Sequence, residues 1–560
     1  MRRVFVGAAA GAVVLVLAAV AVAQIISGVP NANPRSGSPP NVVANGFALQ
    51  RVVNGNDALE NPAGIFSRYG YLDDSTLQAD GFPTKTEPDQ NTYLVTHRSP
   101  GGPTAGYDYG HRFLIQGHEV FTPSNATFNR AYFTRVNLDV SDPAHRVTLL
   151  NPLPADATES GVRSIDGSTY DPFTGQLLFT AEAGAAGGVF GQALKWSGTT
   201  APPVANYDGS MGKAGYEGIH NDKLGNLIII EDVGGANVNA DGVKQPNSFV
   251  YRFKPTHPGD LTQGKLQVLQ VSVNGTPSTF HTAAADGQDA VTADALGDPI
   301  KALHSGDPQQ VKWVTIHDTA VDGTGAFDAN AAAKAGGVGA NANPANKGTP
   351  LKRPENAKFV PGTDFRSFVV AETGDTSKTA GDSAGAAERG AWGALLRVDL
   401  PKAGADAGTV KAVVVGDQAH ASFDNVAFLD KRTVLLSEDR GETLHQQANA
   451  LDSLWSFDIS KPLNQINADA KRLIAQGRDP ESTSDSTLRE PPPAKTHNDG
   501  DNEVTGIHVS DGSTSPSGIL GAELPYNAGG RSPWRIFVTG QHGANITYEI
   551  VATGKQKHGW

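Results

Sequence analysis

Six times along the chain a short apolar strand runs into a polar or acidic cluster and is followed by a second apolar strand. The leading strands read FLIQGHE from Phe113, LLFTAE from Leu177, LIIIED from Leu227, FVVAE from Phe368, VLLSED from Val434 and IFVTGQH from Ile536. Their partners are AYFTRVNL, ALKWS, FVYRFK, ALLRVDL, LWSFDI and ITYEIV. Strand pairs repeated on this scale without intervening helices predict blades, and hence an all-β, six-bladed β-propeller carrying one helical and loop insertion. Such a ring aims equivalent positions of every blade at one central channel.

Outer strands follow most of the pairs: HRVTLL at His145, VANY at Val204, KLQVLQVSV at Lys265, VKAVVV at Val410 and KRLIAQG at Lys471. After ITYEIV the chain ends within a few residues, so the last blade lacks its outer strand. The segment FALQRVVNG from Phe47, within residues 45–55, is the natural closing strand, because an open edge there would be a liability. The propeller is therefore assigned to residues 45–560, with residues 254–350 read as an insertion over one face that includes TIHDT and a short alanine-rich helix.

Arg2 and Arg3 precede an apolar run, and Ala21-Val22-Ala23 has the small-x-small form of a signal-peptidase site, which predicts a signal peptide over residues 1–23. Arg-Arg-Val-Phe also fits a partial twin-arginine signal, an ordinary secretory signal serves equally, and the run is nearly long enough for an uncleaved anchor. Residues 24–44, rich in Pro, Asn, Ser and Gly, read as a flexible linker. The expected location is secreted, periplasmic or extracellular, with the membrane involved only in export or anchoring.

The net charge of −13 argues against nucleic acid as a partner. With no cysteine in the chain, any metal must be held by oxygen or imidazole. Acids precede most of the leading strands, each beginning a short run that reads as an innermost strand: Asp166, Glu217, Glu355, Asp424 and Glu503. Because the next strand runs back to the same rim, Glu182, Glu231, Asp232, Glu372, Glu438 and Asp439 are expected there too, with His118, His220, His508 and His542 nearby. Carboxylates converging on one axis repel, and cations are the simplest remedy. Oxygen ligands favour Ca²⁺, Mg²⁺, Mn²⁺ or Fe³⁺. Equally, Asp-Gly and Glu-Asp at strand ends are ordinary turn chemistry.

The segments GYEGIHNDKLGNLIIIEDVGG from Gly215, PNSFVYRF from Pro246, KRPEN from Lys352, FDNVAFL from Phe423 and EVTGIHVSDG from Glu503, in this order, resemble the PhoX-type secreted phosphatase family. The likeness runs from about Tyr93 to Ile550. It implies a six-bladed propeller with an iron and calcium cluster in its channel, and a small-molecule phosphate monoester as substrate. It further implies that Glu217, Glu355, Asp424 and Glu503 are metal ligands, joined by Glu182, Glu231 and Asp232, and that Arg353 of the Arg-Pro-Glu motif contacts phosphate. A guanidinium grips two phosphate oxygens at once. Where that family has a cysteine ligand to iron, this chain has Asp166, a harder donor, so calcium is the firmer expectation and iron the weaker. Metal-dependent hydrolysis by a monomeric enzyme is the leading function. A calcium-dependent lactonase or sugar-ester hydrolase, and a non-enzymatic propeller stabilised by calcium, are the alternatives.

Overall fold

The computed structural model describes residues 41–61, 67–72, 84–119, 132–151, 164–235, 244–281, 300–375, 389–448, 450–477, 503–527, 534–541 and 545–553. The expected signal segment, nearly all of the linker, and His542 lie outside them. No described helix is long and apolar enough to cross a membrane.

Among the described residues the chain is all-β and antiparallel, arranged as six four-stranded meanders. The first comprises Glu87–Val95, Arg112–Glu119, Tyr132–Asn137 and Val147–Leu149. The second comprises Ile165–Asp171, Gln176–Ala181, Gly188–Ala193 and Val204–Asn206. Tyr216–Asn221, Leu227–Glu231, Val250–Pro255 and Gly264–Val273 form the third, and Pro354–Phe359, Ser367–Glu372, Ala394–Asp399 and Ala407–Val415 the fourth. The fifth is Phe423–Phe428, Thr433–Glu438, Ser453–Asp458 and Lys471–Ala475. In the sixth, Glu503–Ser510, Arg535–Gln541 and Ile546–Ala552 are completed by Phe47–Val53, which pairs antiparallel with Ile546–Ala552.

The first strands touch one another in a closed circuit, each beside the next and the sixth beside the first. Period-two alternation explains how the sheets stack in that order. In the second meander Leu177 and Phe179 pack against Phe113 and Ile115 of the first, while Leu178 turns to Tyr216 and Ile219 of the third. Phe537 of the sixth meander joins Tyr93 and Leu114 of the first, and its neighbours Ile536 and Val538 join Leu435 and Leu454 of the fifth. Both faces of these strands are covered, so they read as continuous apolar runs, as strands buried on two sides do.

Two features depart from the expected organisation. Among the described residues, parts of the 254–350 span are built into the sheets. They contain the outer strand of the third meander, and then the strand Gln309–Asp318, which pairs with Gly264–Val273 on one side and Ala407–Val415 on the other. This added strand therefore joins the outer edges of the third and fourth meanders. TIHDT lies at its end, and the alanine-rich helix forms over Ala329–Ala335, capped by Asp328 and ended by Gly336 in the left-handed region. Val42–Val43 also adds to the outer edge of the fifth meander.

Candidate metal centre

Every first strand is interrupted by a β-bulge near its start, and in five of the six the bulged stretch begins with an acid. The pairing shifts between Pro88 and Asn91, Ile165 and Ser168, Tyr216 and Ile219, Pro354 and Asn356, and Phe423 and Val426. The acids so displaced are Asp89, Asp166, Glu217, Glu355 and Asp424, all buried. A bulge turns a side chain out of the sheet's own alternation, here toward the centre of the circuit. In the sixth strand the shift falls between Thr505 and His508, so the equivalent position is Gly506, and Glu503 lies three residues earlier. Gly506 has φ +62°, and a Cβ there would sit 2.5 Å from Asn91 Nδ2. Thr505 fills the gap, its Oγ1 lying 2.7 Å from Asp89 Oδ1 and 3.0 Å from Asp424 Oδ2 so that its one proton serves either carboxylate.

Close approach of the first strands depends on the residue after the acid. A Cβ on Gly167 would lie 1.9 Å from the Glu217 carbonyl, and one on Gly218 would lie 2.8 Å from that of Glu355. The packing gathers eight carboxylates into three trios, with donor atoms in each within 4.8 Å of one another: Asp89, Glu119 and Asp166; Glu182, Glu217 and Asp232; Glu217, Glu355 and Asp424. Glu217 belongs to two of them.

Burial, followed by the neighbouring carboxylates, pushes Glu119, Asp166, Glu182, Glu217 and Asp424 well above the usual carboxylate range, and pushes Glu355 up to about 8. Asp166 Oδ1 is buried without a hydrogen-bond partner among the described residues. An all-oxygen donor set holding a buried orphan carboxylate oxygen fits hard cations.

Arg353 lies among these acids. Its Nε and Nη2 both reach Asp232 Oδ2 at 2.9 Å, and Nη2 is 3.1 Å from Glu355 Oε1 and 3.7 Å from Asp439 Oδ2. Burial opposes its charge, but Asp232, Glu355, Asp439 and Glu182 outweigh that and raise its pKa. Its φ of +47° is shared by Ser164 (+39°) and Ser422 (+57°), which likewise stand two residues before the bulged acid, so this turn belongs to the lead-in of the first strand.

The paired acids at the ends of the second strands separate by alternation. Glu231 points into its own sheet, accepting from Phe249 N (3.1 Å), Tyr251 Oη (2.9 Å) and Asn330 Nδ2 (2.9 Å), whereas Asp232 faces the centre. Glu438 likewise accepts from Ala421 N, Ser453 N and Arg440, while Asp439 approaches Arg353. Glu372 accepts from Lys352 N, and the next residue, Thr373, donates to Glu355. Glu231 is therefore in none of the trios; Glu503 is in none either, but its charge helps to raise Glu119 and Asp424. His118 sits inside the first meander between Thr86 and Thr134, stacked on Tyr132, with burial lowering its pKa to about 3.

Two members of the trios escape the sequence rule. Asp89 precedes its leading strand by more than the others do, because the turn over residues 96–111 is long. Its signal is the acid-amide pattern Asp89-Gln90-Asn91, which parallels Glu355-Asn356 and Asp424-Asn425. Glu119 ends FLIQGHE at the position where Glu182 follows LLFTA.

No family model and no curated protein matches the chain. Among solved structures it is similar to Pseudomonas fluorescens PhoX in complex with vanadate, a transition state analogue, at 11% identity, covering 94% of this chain and 98% of that one with a TM-score of 0.48.

Proposed function

We propose that the chain is a six-bladed β-propeller that hydrolyses small phosphate monoesters outside the cytoplasm, using cations held by carboxylates at one mouth of its channel. The propeller reading is supported by the closed circuit of first strands and by apolar packing between consecutive meanders. The metal reading rests on the acid at the same bulge in five of six first strands, which meets Glu119, Glu182 and Asp232 from the ends of second strands to make the three trios.

Asp89, Glu119 and Asp166 would hold one cation, and Glu182, Glu217 and Asp232, or Glu217, Glu355 and Asp424, would hold another. Calcium suits these donors, and Asp166 keeps a hard iron(III) compatible without a thiolate. Such cations supply charge neutralisation for a transferring phosphoryl group and activation of water. Thr505 and Thr373 orient Asp89, Asp424 and Glu355 through their hydroxyls. Arg353 now donates to carboxylates that the trios also use. Once those oxygens are committed to cations, its planar fork has donors to spare for two phosphate oxygens.

The ion pairs of Arg353 with Asp232, Glu355 and Asp439 favour a second reading, in which calcium and the arginine serve only to hold the blades. Cation analysis of protein purified without chelator, paired with a phosphomonoester assay, separates the two. Bound cations with turnover that orthophosphate inhibits support the phosphatase; calcium without turnover supports the structural reading.

A further inference from the structure

Below the carboxylates the same circuit narrows to a small cavity to which every first strand contributes: Gln90, Thr169, His220, Lys358, Val426 and His508. It has room for an occupant about the size of a water molecule. Its chemistry is opposite in sign to the tier above, since no carboxylate lines it.

Lys358, half-buried, makes no hydrogen bond or ion pair with any described residue, and an ammonium drawn partly out of bulk water without a counter-charge is costly. Gln90 accepts from Ser168 N through Oε1 (2.9 Å), which makes its buried Nε2 a donor, and that donor has no partner among the described residues. Tyr93 N donates to His508 Nε2 (3.2 Å), which puts the ring proton on Nδ1 as a further donor. His220 is occupied through Nε2 with Asn356 Oδ1 (2.9 Å). One acceptor of the cavity, Asn91 Oδ1, also lacks a partner among the described residues.

We propose that this lower tier is a binding site for a single monatomic anion, chloride foremost, held by Lys358 together with the N–H groups of Gln90 and His508. The ligand class follows from three observations: an uncompensated cation, surplus donors, and a space too small for phosphate or a carboxylate ligand. Burial lowers the Lys358 pKa to about 8, which still leaves it charged near neutrality when nothing else is bound. The site is independent of the reaction proposed above and would exist in a purely structural propeller.

The test uses the full chain with its cations in place. Crystals soaked in sodium bromide are expected to give an anomalous peak beside Lys358 Nζ, and thermal melts in bromide should exceed those in gluconate at equal ionic strength. Lys358→Met should abolish both effects. If that variant does not fold, the wild-type measurements decide alone. Absence of bromide at Lys358 together with equal melts in bromide and gluconate would overturn the proposal in favour of water and a neutral lysine.

Discussion

A carboxylate has one function when it caps backbone amides and another when it faces a second carboxylate, and Glu231 and Asp232 place both cases on adjacent residues. Glu231→Ala should leave the cation content unchanged and lower stability by about 1–3 kcal/mol, because Phe249 N and Tyr251 Oη lose their buried acceptor. Glu217→Gln should do the reverse. It keeps the side chain's shape but removes the charge shared by two trios, so cations are lost and turnover falls roughly 100-fold or more while the fold survives. A normal cation content in that variant would remove Glu217 from the ligand set. Arg353→Lys keeps the charge and loses the fork, so inhibition by orthophosphate should weaken at nearly constant cation content. Asp166→Ala should release metal, because Asp166 Oδ1 has no partner among the described residues and lies within the first trio.

At the level of elements, the bulge in each first strand is the device that builds the centre, and the glycine beside it sets how closely strands approach. Gly167→Ala would place a methyl against the Glu217 carbonyl. We expect a loss of about 1–3 kcal/mol and weaker cation retention, read from melting curves and cation titration. The acids at Asp166, Glu217, Glu355 and Asp424 were legible in the sequence because each opens a short run ahead of an apolar strand. Asp89 was hidden by the long turn after Val95. Glu503 looked equivalent because a bulge has no sequence signature, and only the pairing register reveals that Gly506 holds the sixth position. Which member of Glu231-Asp232 faces inward was likewise undetermined, since alternation fixes that two neighbours differ but not which of them points to the centre. The closing strand at Phe47–Val53 was readable from the missing outer strand after Tyr548. The bridging strand Gln309–Asp318 was not, because nothing in QQVKWVTIHD distinguishes an edge shared by two sheets from a loop segment.

For the whole molecule, closure of the circuit concentrates negative charge at one end of the axis and a lone lysine below it. Deleting residues 45–55 should lower the melting temperature sharply by opening the edge at Ile546–Ala552. Without cations, the raised pKa values mean that the folded chain binds more protons than the unfolded one. Glu355, pushed from 4.5 up to about 8, sets the window. Stability of the cation-free chain is therefore greatest below the usual carboxylate range and falls as pH rises from about 5 to about 8, whereas cation-loaded protein should lack that decline. Melting curves across this range with and without chelator would reveal the difference. The central claim, that the bulged acids exist to hold cations, is tested most directly by elemental analysis of protein purified without chelator. More than one bound hard cation per chain is expected, with calcium among them, and loss of these in Glu217→Gln. A folded chain free of bound cations, with stability and turnover indifferent to chelator, would contradict it.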